Sequence, residues 1–180
     1  MLDPIKLPRF VLSTMLLGLL AACTGSPTTP TSPVAPGVCA DLAASRATGV
    51  FTYNRDYRRR DEILGIQVDW ASKNSGGVEW FDRASLEQIA TVYLEGFLDP
   101  SDQQNYSPTA GELLAFMCTH PAALASGYVV DPNREDYRVT IDAMELPEGS
   151  LDQESKQELL QLCMYADEFS GANGLYCWWD

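Results

Sequence analysis

Few side chains in this sequence of 180 residues could do chemistry, because it contains a single histidine, His120. Nucleophilic catalysis by serine or cysteine usually needs a histidine beside the nucleophile. Two carboxyl groups alone can hydrolyse glycosides, but among 25 Asp and Glu residues a neighbouring pair such as Asp61 and Glu62 is expected on any solvated face. His120 is interpreted as a helix-end residue, where a cation is favourable. We predict no catalytic residue and no enzymatic activity.

One loop comes close to a metal-binding pattern. Asp131, Asn133, Glu135 and Asp142 place oxygen ligands at the spacing of a calcium-binding loop. Asp136, however, stands where the sharp turn of such a loop requires glycine. We therefore predict an ordinary turn here, and no metal ion or other cofactor.

Three aromatic residues at the C-terminus are candidates for a binding surface. Tyr176, Trp178 and Trp179 flank Cys177. Such side chains could stack on a sugar ring or on a protein partner. The alternative is that they cap the hydrophobic core.

The first 22 residues are predicted to be a signal peptide. Lys6 and Arg9 precede an apolar run over residues 10–20, which is shorter than the roughly 20 residues of a membrane span. The run leads into Leu20-Ala21-Ala22-Cys23, a tetrad that resembles the lipobox of bacterial lipoproteins. The resemblance implies cleavage before Cys23 and acylation of its sulfur and of the new amino group. Two or more acyl chains would anchor the protein stably to a membrane.

The lipidated cysteine is followed by a linker, so that residues 23–38 form a tether. Prolines 27, 30, 33 and 36 recur at every third position, which is the period of a polyproline II helix; a plain flexible linker is the alternative. Residues 39–180 then form a single extracytoplasmic domain in the cell envelope. Thr24 is not the aspartate that retains lipoproteins in the inner membrane, so in a Gram-negative host we expect the periplasmic side of the outer membrane.

Four cysteines remain for the exported domain, and an even number outside the cytoplasm predicts two disulfides. Zinc binding is disfavoured because no Cys-x-x-Cys pair exists. Three pairings can be written. We favour Cys163 with Cys177, because this short loop would fold the C-terminal tail onto the preceding helix, and this choice leaves Cys39 with Cys118.

Hydrophobic periodicity predicts a mainly α fold with a small β component. Ser85 with Gln88 and Ser150 with Gln153 have the spacing of capping boxes, and Gly171 is predicted to end the last helix. The predicted helices cover residues 39–48, 85–98, 107–120 and 150–170, and the predicted strands cover residues 66–70, 128–130 and 137–141. Residues 50–60 fit either a helix or a loop, and residues 73–77 a turn.

Part of this pattern is similar to the HdeA-like periplasmic helical domains, a family of acid-stress chaperones. The resemblance covers about residues 85–128 and rests on Tyr-Leu-Glu-Gly-Phe-Leu at residues 93–98 and on Leu-Leu-Ala-Phe-Met-Cys at residues 113–118. It implies a compact helical domain, agrees with a Cys39–Cys118 disulfide, and suggests a chaperone-like function. The sequence departs from the family in the long segment before Tyr93 and in residues 132–180, which have no counterpart.

The charge of the chain restricts its partners. With 12 Lys and Arg against 25 Asp and Glu, the net charge is −13, which argues against a nucleic-acid-binding protein. The run Arg58–Arg60 is interpreted as a solvated basic turn, with contact to anionic lipid headgroups as the alternative.

Three classes of function are consistent with these features. The first is a tethered, non-enzymatic binding or chaperone-like module. The second is an envelope interaction protein, such as an inhibitor or immunity protein, whose acidic surface meets a basic target. The third is a carboxylate-dependent hydrolase. The protein partner or clients are not identified by the sequence; the membrane is contacted through the lipid.

Lipidation at Cys23 is directly testable. Cys23→Ser removes the acylated sulfur, so we expect an unprocessed or soluble protein in place of the membrane-bound form. Fractionation of cells and mass spectrometry of the N-terminal peptide measure this. A variant that is still processed and membrane-bound would show that Cys23 is not the anchor.

Overall fold

The computed structural model describes residues 37–40, 50–73, 77–171 and 174–180. The predicted signal peptide, Cys23 and nearly all of the linker lie outside these ranges, as do most of the first predicted helix and part of the predicted turn at 73–77. Residues 37–40 are helical. In the described ranges, no helix has the length and apolarity needed to cross a membrane.

A five-stranded antiparallel sheet organises the described part of the chain, with the strand order β1-β2-β3-β5-β4. The strands are β1 (Val78–Ala84), β2 (Leu124–Val130), β3 (Ala143–Pro147), β4 (Glu168–Ser170) and β5 (Gly174–Trp178). The helices are α1 (Tyr57–Leu64), α2 (Leu86–Leu94), α3 (Ala110–Thr119) and α4 (Gln153–Leu162), with a 3-10 turn at Glu148–Ser150. The prediction of a mainly helical fold, and the helical fold implied by the HdeA-like resemblance, are therefore wrong.

The largest difference between the predicted and the observed secondary structure lies near the C-terminus. The apolar spacing from Leu159 to Phe169 fits a helix, but α4 ends at Leu162 and Phe169 lies in β4, where 49% of its surface is exposed. The backbone N–H of Asp167 donates to the carbonyl of Trp178, so the chain turns back into a hairpin. Gly171 follows β4 and does not end a helix. The pairing of β4 with β5, which itself pairs with β3, outweighs the helical spacing of the apolar residues in this segment.

Two predicted strands also differ from the structure. Residues 66–70 form no strand. Residues 137–141 contribute one bridge, between Val139 and Val129, while the regular partner of β2 on that side is β3. This segment approaches β2 so closely that a Cβ on Gly127 would lie 2.1 Å from the carbonyl oxygen of Thr140. Only glycine therefore fits at this point of β2.

The start of α2 lies where it was predicted, and the starts of α3 and α4 are each shifted by two residues. The Ser85–Gln88 capping box is present and begins α2. Thr109 with Glu112 caps α3, and Asp152 with Ser155 caps α4, in place of the predicted Ser107 and Ser150 starts. Side-chain oxygens in all three boxes accept backbone N–H groups that the first helical turn leaves without partners.

Both disulfides are confirmed. Cys39 is bonded to Cys118, across 79 residues, and Cys163 to Cys177, across 14 residues. Cys177 belongs to β5 and Cys163 follows α4, so the second bond ties the last helix to the sheet. The disulfides pack against an apolar core that includes residues of both helices and strands. Its largest fully buried side chains, apart from Arg60, are Trp179, Tyr137, Phe97, Ile89, Leu98, Leu113, Leu114, Met117, Met144, Leu146 and Leu159.

Arg60 is a charged member of this interior and is 0% exposed. Its Nε donates to Asp61 Oδ1 at 2.8 Å, and its Nη1 donates to the carbonyl of Val130 at the end of β2 at 2.9 Å. The guanidinium lies 5.3 Å from the ring centre of Trp70 and 5.0 Å from that of Tyr137. The interpretation of residues 58–60 as a solvated turn is wrong for Arg60, which joins α1 to the sheet.

The buried arginine provides a stability test. Arg60→Ala leaves the Asp61 carboxylate buried without its counter-ion, so we expect the free energy of unfolding to fall by about 3–5 kcal/mol. Arg58→Ala removes an exposed arginine two positions earlier on the same helix and should change it by about 0.5 kcal/mol or less. Urea denaturation measures both. Equal losses in the two variants would contradict the role assigned to Arg60.

Candidate binding site on the outer face of the sheet

Alternation along the strands gives the sheet two different faces. Met144 and Cys177, which pair across β3 and β5, are fully buried on the inner face. The outer face carries large aromatic side chains at alternate positions. These are Trp80 on β1, Tyr128 on β2, and Tyr176 and Trp178 on β5.

Three of these aromatic residues, Trp80, Tyr176 and Trp178, border a concavity of about 230 Å³. Its lining is Trp80, Phe81, Asp82, Ser126, Asp142, Ala143, Tyr176 and Trp178. Trp80 is 55% exposed, and its ring meets the Tyr128 ring edge to face at 5.4 Å. Aromatic walls and carboxyl groups thus share one surface depression.

The structure separates the three aromatic residues predicted as a binding surface. Tyr176 and Trp178 line the concavity, and their role in binding stays a prediction. Trp179 is 1% exposed and belongs to the core, so its assignment to the surface is wrong. Its position follows from the alternation of β5 and from its backbone N–H, which donates to the carbonyl of Asp142 at 2.9 Å.

Trp80 is the site residue that sequence reasoning missed. It lies in β1, where it is directly opposite Tyr128 of β2. The sequence signal was the pair of aromatic residues Trp80 and Phe81 between a turn and the Ser85 cap, which is typical of a short strand with one residue on each face.

Asp142 is the most unusual group in the concavity, because it is only 4% exposed. Removal from water raises the pKa of its carboxyl to about 7, and hydrogen bonds from its own backbone N–H and from the Trp178 side chain offset this only in part. The nearby Asp180 raises the pKa further. Among the described residues, no cation forms an ion pair with Asp142.

The surroundings of Asp142 are also acidic. Burial raises the pKa of the Tyr176 hydroxyl, and so do four carboxylates around it, from Asp142, Glu168, Asp82 and Glu145. Arg83 forms an ion pair with Glu145 at the edge of this group. The Ser126 hydroxyl donates to Asp82 at 2.8 Å, and within the described part of the chain Asp82 forms no ion pair. The concavity therefore carries an excess of negative charge.

The other residues singled out in the sequence lie elsewhere. His120 is the C-cap of α3, as predicted, and its Nε2 lies 2.7 Å from Glu158 Oε2. Asp131 accepts hydrogen bonds from the backbone and the side-chain amide of Asn133. In the described ranges, no group of His, Cys, Asp and Glu is arranged to hold a metal ion.

Two larger concavities lack this combination of groups. One, of about 510 Å³, includes Asp61, whose carboxylate already binds Arg60 and the Trp70 indole. The other, of about 470 Å³, lies beside α4 and is bordered by the exposed Tyr106 and Tyr165. Neither contains a buried carboxyl without a cation.

Comparisons of the chain with protein-family models, with curated proteins and with solved structures gave no match.

The raised pKa of Asp142 makes stability depend on pH. The carboxyl binds its proton more tightly in the folded than in the unfolded protein, where its pKa is near 3.8. The contribution of Asp142 to stability is therefore greatest below about pH 4 and is lost as the pH rises through about 7. The resulting loss in the free energy of unfolding is at most about 4 kcal/mol. Asp142→Asn should remove this decline and give a more stable protein at neutral pH.

Thermal unfolding from about pH 4 to pH 8 measures the effect of Asp142→Asn. The matched control is Glu135→Gln, an exposed carboxyl in the 131–136 turn, which should keep the decline of the unmodified protein. Asp136 does not affect the pH dependence in this range. Its two arginine partners lower its pKa to about 2, so its contribution to stability changes only below about pH 4. An unchanged decline in Asp142→Asn would refute the assignment.

Proposed function

We propose that the protein is a non-enzymatic binding module, anchored in the cell envelope by lipid on Cys23, and that it binds its partner through the aromatic concavity on the outer face of the sheet. The observation that carries the proposal is the joint lining of that concavity by Trp80, Tyr176, Trp178 and the buried Asp142. The predicted tether, residues 23–38, separates the lipidated cysteine from this domain in the sequence.

The proposed partner is a protein, as in the envelope-interaction alternative of the sequence analysis. Ligand sites for whole small molecules usually have volumes of about 300–1,000 Å³, and this concavity of about 230 Å³ is smaller. It has room for one side chain. Tryptophan and tyrosine around a small central pocket are typical of the few residues that dominate binding energy in protein interfaces.

A carboxylate-dependent hydrolase is favoured by one observation only, the presence of Asp82 and Asp142 in the same lining. Glycoside hydrolysis requires both carboxyls to face a substrate ring held between them. The shallow, small concavity argues for recognition of a single group instead. This alternative predicts turnover of chromogenic glycosides that is lost in Asp142→Asn.

The chaperone-like alternative depends on a different surface. The apolar side chains of α2 and α3, such as Ile89 and Leu113, are fully buried and could hold clients only after acid opens the fold. Asp142 opposes opening over the range from about pH 7 to pH 4, because its contribution to stability increases as the pH falls. Light scattering of an acid-sensitive client at about pH 2–3 separates this alternative from binding by the native fold.

The proposal is tested by site-specific photo-crosslinking of the full chain in intact cells. A benzophenone amino acid is placed at Glu168, which is exposed and pairs with Trp178 across β4 and β5. We expect one discrete crosslinked complex of constant stoichiometry. Trp80→Ala should abolish it, because the concavity loses one aromatic wall.

Tyr165→Ala provides the matched control. Tyr165 is 68% exposed and lies beside α4, away from the concavity, so its loss should leave the complex unchanged. A complex that survives Trp80→Ala would refute the proposed site. A broad set of crosslinked proteins that appears only in acid would support the chaperone-like function instead.

A further inference from the structure

We propose that the concavity on the outer sheet face takes an arginine side chain presented by the protein partner, with the guanidinium held by the Asp142 carboxylate and by the faces of Trp178, Tyr176 and Trp80. This inference rests on the proposed function and specifies the chemistry of its ligand. It is argued from the charge of the site, from its size, and from a second site in the same molecule.

The charge argument concerns Asp142. A buried carboxylate is costly unless a cation or several hydrogen bonds compensate it. Asp142 is 4% exposed, and its pKa is perturbed by burial, its own N–H, Trp178 and Asp180. No cation of the described residues is among these partners. A positively charged group from outside would supply the missing compensation.

The aromatic walls favour a cation over a neutral ligand. The faces of tryptophan and tyrosine rings attract cations within about 6 Å, most strongly in desolvated sites. Asp82, Glu145 and Glu168 act on Tyr176 together with Asp142. Their charges make the electrostatic potential near Tyr176 negative, as it is over the faces of the aromatic rings. A neutral sugar would gain stacking from the rings but nothing from this charge.

The molecule already contains an arginine bound in this way. The Arg60 guanidinium lies 5.3 Å from the ring centre of Trp70 and 5.0 Å from that of Tyr137, with Asp61 as its counter-ion. The Trp70 indole donates to Asp61 Oδ2 at 2.8 Å, and at the outer site the Trp178 side chain lowers the pKa of Asp142 as a hydrogen-bond donor. The outer concavity thus repeats the same residue types, an aspartate, a tryptophan and a tyrosine, and its lining contains no arginine.

Arginine is favoured over lysine by geometry. Its planar guanidinium stacks on aromatic rings and donates two parallel hydrogen bonds to one carboxylate, whereas an ammonium group acts as a point charge. The volume of about 230 Å³ accommodates one such side chain. An acidic protein with net charge −13 would also attract a basic partner over longer distances.

The test titrates the purified full chain with N-acetyl-arginine amide and follows the indole N–H resonances of Trp80 and Trp178 by NMR. The matched probe is N-acetyl-citrulline amide, which has the same shape and no charge. At about pH 8, where Asp142 is ionised, we expect saturable shifts with arginine and at least about tenfold weaker binding of citrulline. N-acetyl-lysine amide should bind with intermediate strength.

Asp142→Asn should reduce arginine binding by at least about tenfold, and this variant is expected to be at least as stable as the original at neutral pH, so misfolding does not confuse the result. Glu135→Gln is the control and should bind arginine normally. Equal binding of arginine and citrulline would overturn the inference.

The outcomes also separate this inference from the proposed function. If neither arginine nor citrulline shifts the two indole resonances, while the crosslinked complex still depends on Trp80, the concavity binds a partner of other chemistry and only the arginine proposal fails. If the crosslinked complex does not depend on Trp80 either, both proposals fail. Arginine binding that persists in Asp142→Asn would show that the carboxylate is not the counter-ion.

Discussion

The buried charge of Arg60 is the constraint on which the arrangement of helix and sheet depends. A guanidinium removed from water needs a counter-ion and hydrogen-bond acceptors, and Arg60 obtains them from Asp61 on its own helix and from the Val130 carbonyl at the end of β2. Trp70 and Tyr137 close over its two sides. Two regions that are distant in the sequence, residues 60–70 and 130–137, must therefore meet at this one side chain, which restricts where α1 can pack.

The inner face of the sheet stabilises the fold, and the outer face carries the proposed binding site. Buried apolar residues and the Cys163–Cys177 disulfide lie on the inner face, where burial of apolar surface stabilises the fold. The outer face carries Trp80 and Trp178 around Asp142, a buried carboxyl that destabilises the folded protein at neutral pH. A binding site commonly lowers stability in this way, since groups that await a partner are not satisfied within the protein.

The success of sequence reasoning depended on whether the interactions were local. The Ser85–Gln88 box was predicted correctly because both partners lie within one helical turn. The Cys163–Cys177 bond followed from a short chain separation. Residues 159–169 were predicted wrongly, because their apolar spacing fits a helix and only pairing with β5 makes Phe169 part of a strand. The assignment of Trp179 to the surface failed for the same reason, as one step along β5 changes the face.

The sequence by itself determined the composition of the chain, its charge, the Ser85 cap of α2 and the Cys163–Cys177 pair, because each depends on residue types or on short separations. Tertiary structure alone decided that Arg60 is buried, that β1 brings Trp80 to the same face as Tyr176 and Trp178, and that Asp142 lines the same concavity. Strand register and the order of strands place these residues together. Register is set by long-range pairing, and hydrophobic periodicity in one segment cannot specify which segment lies beside it.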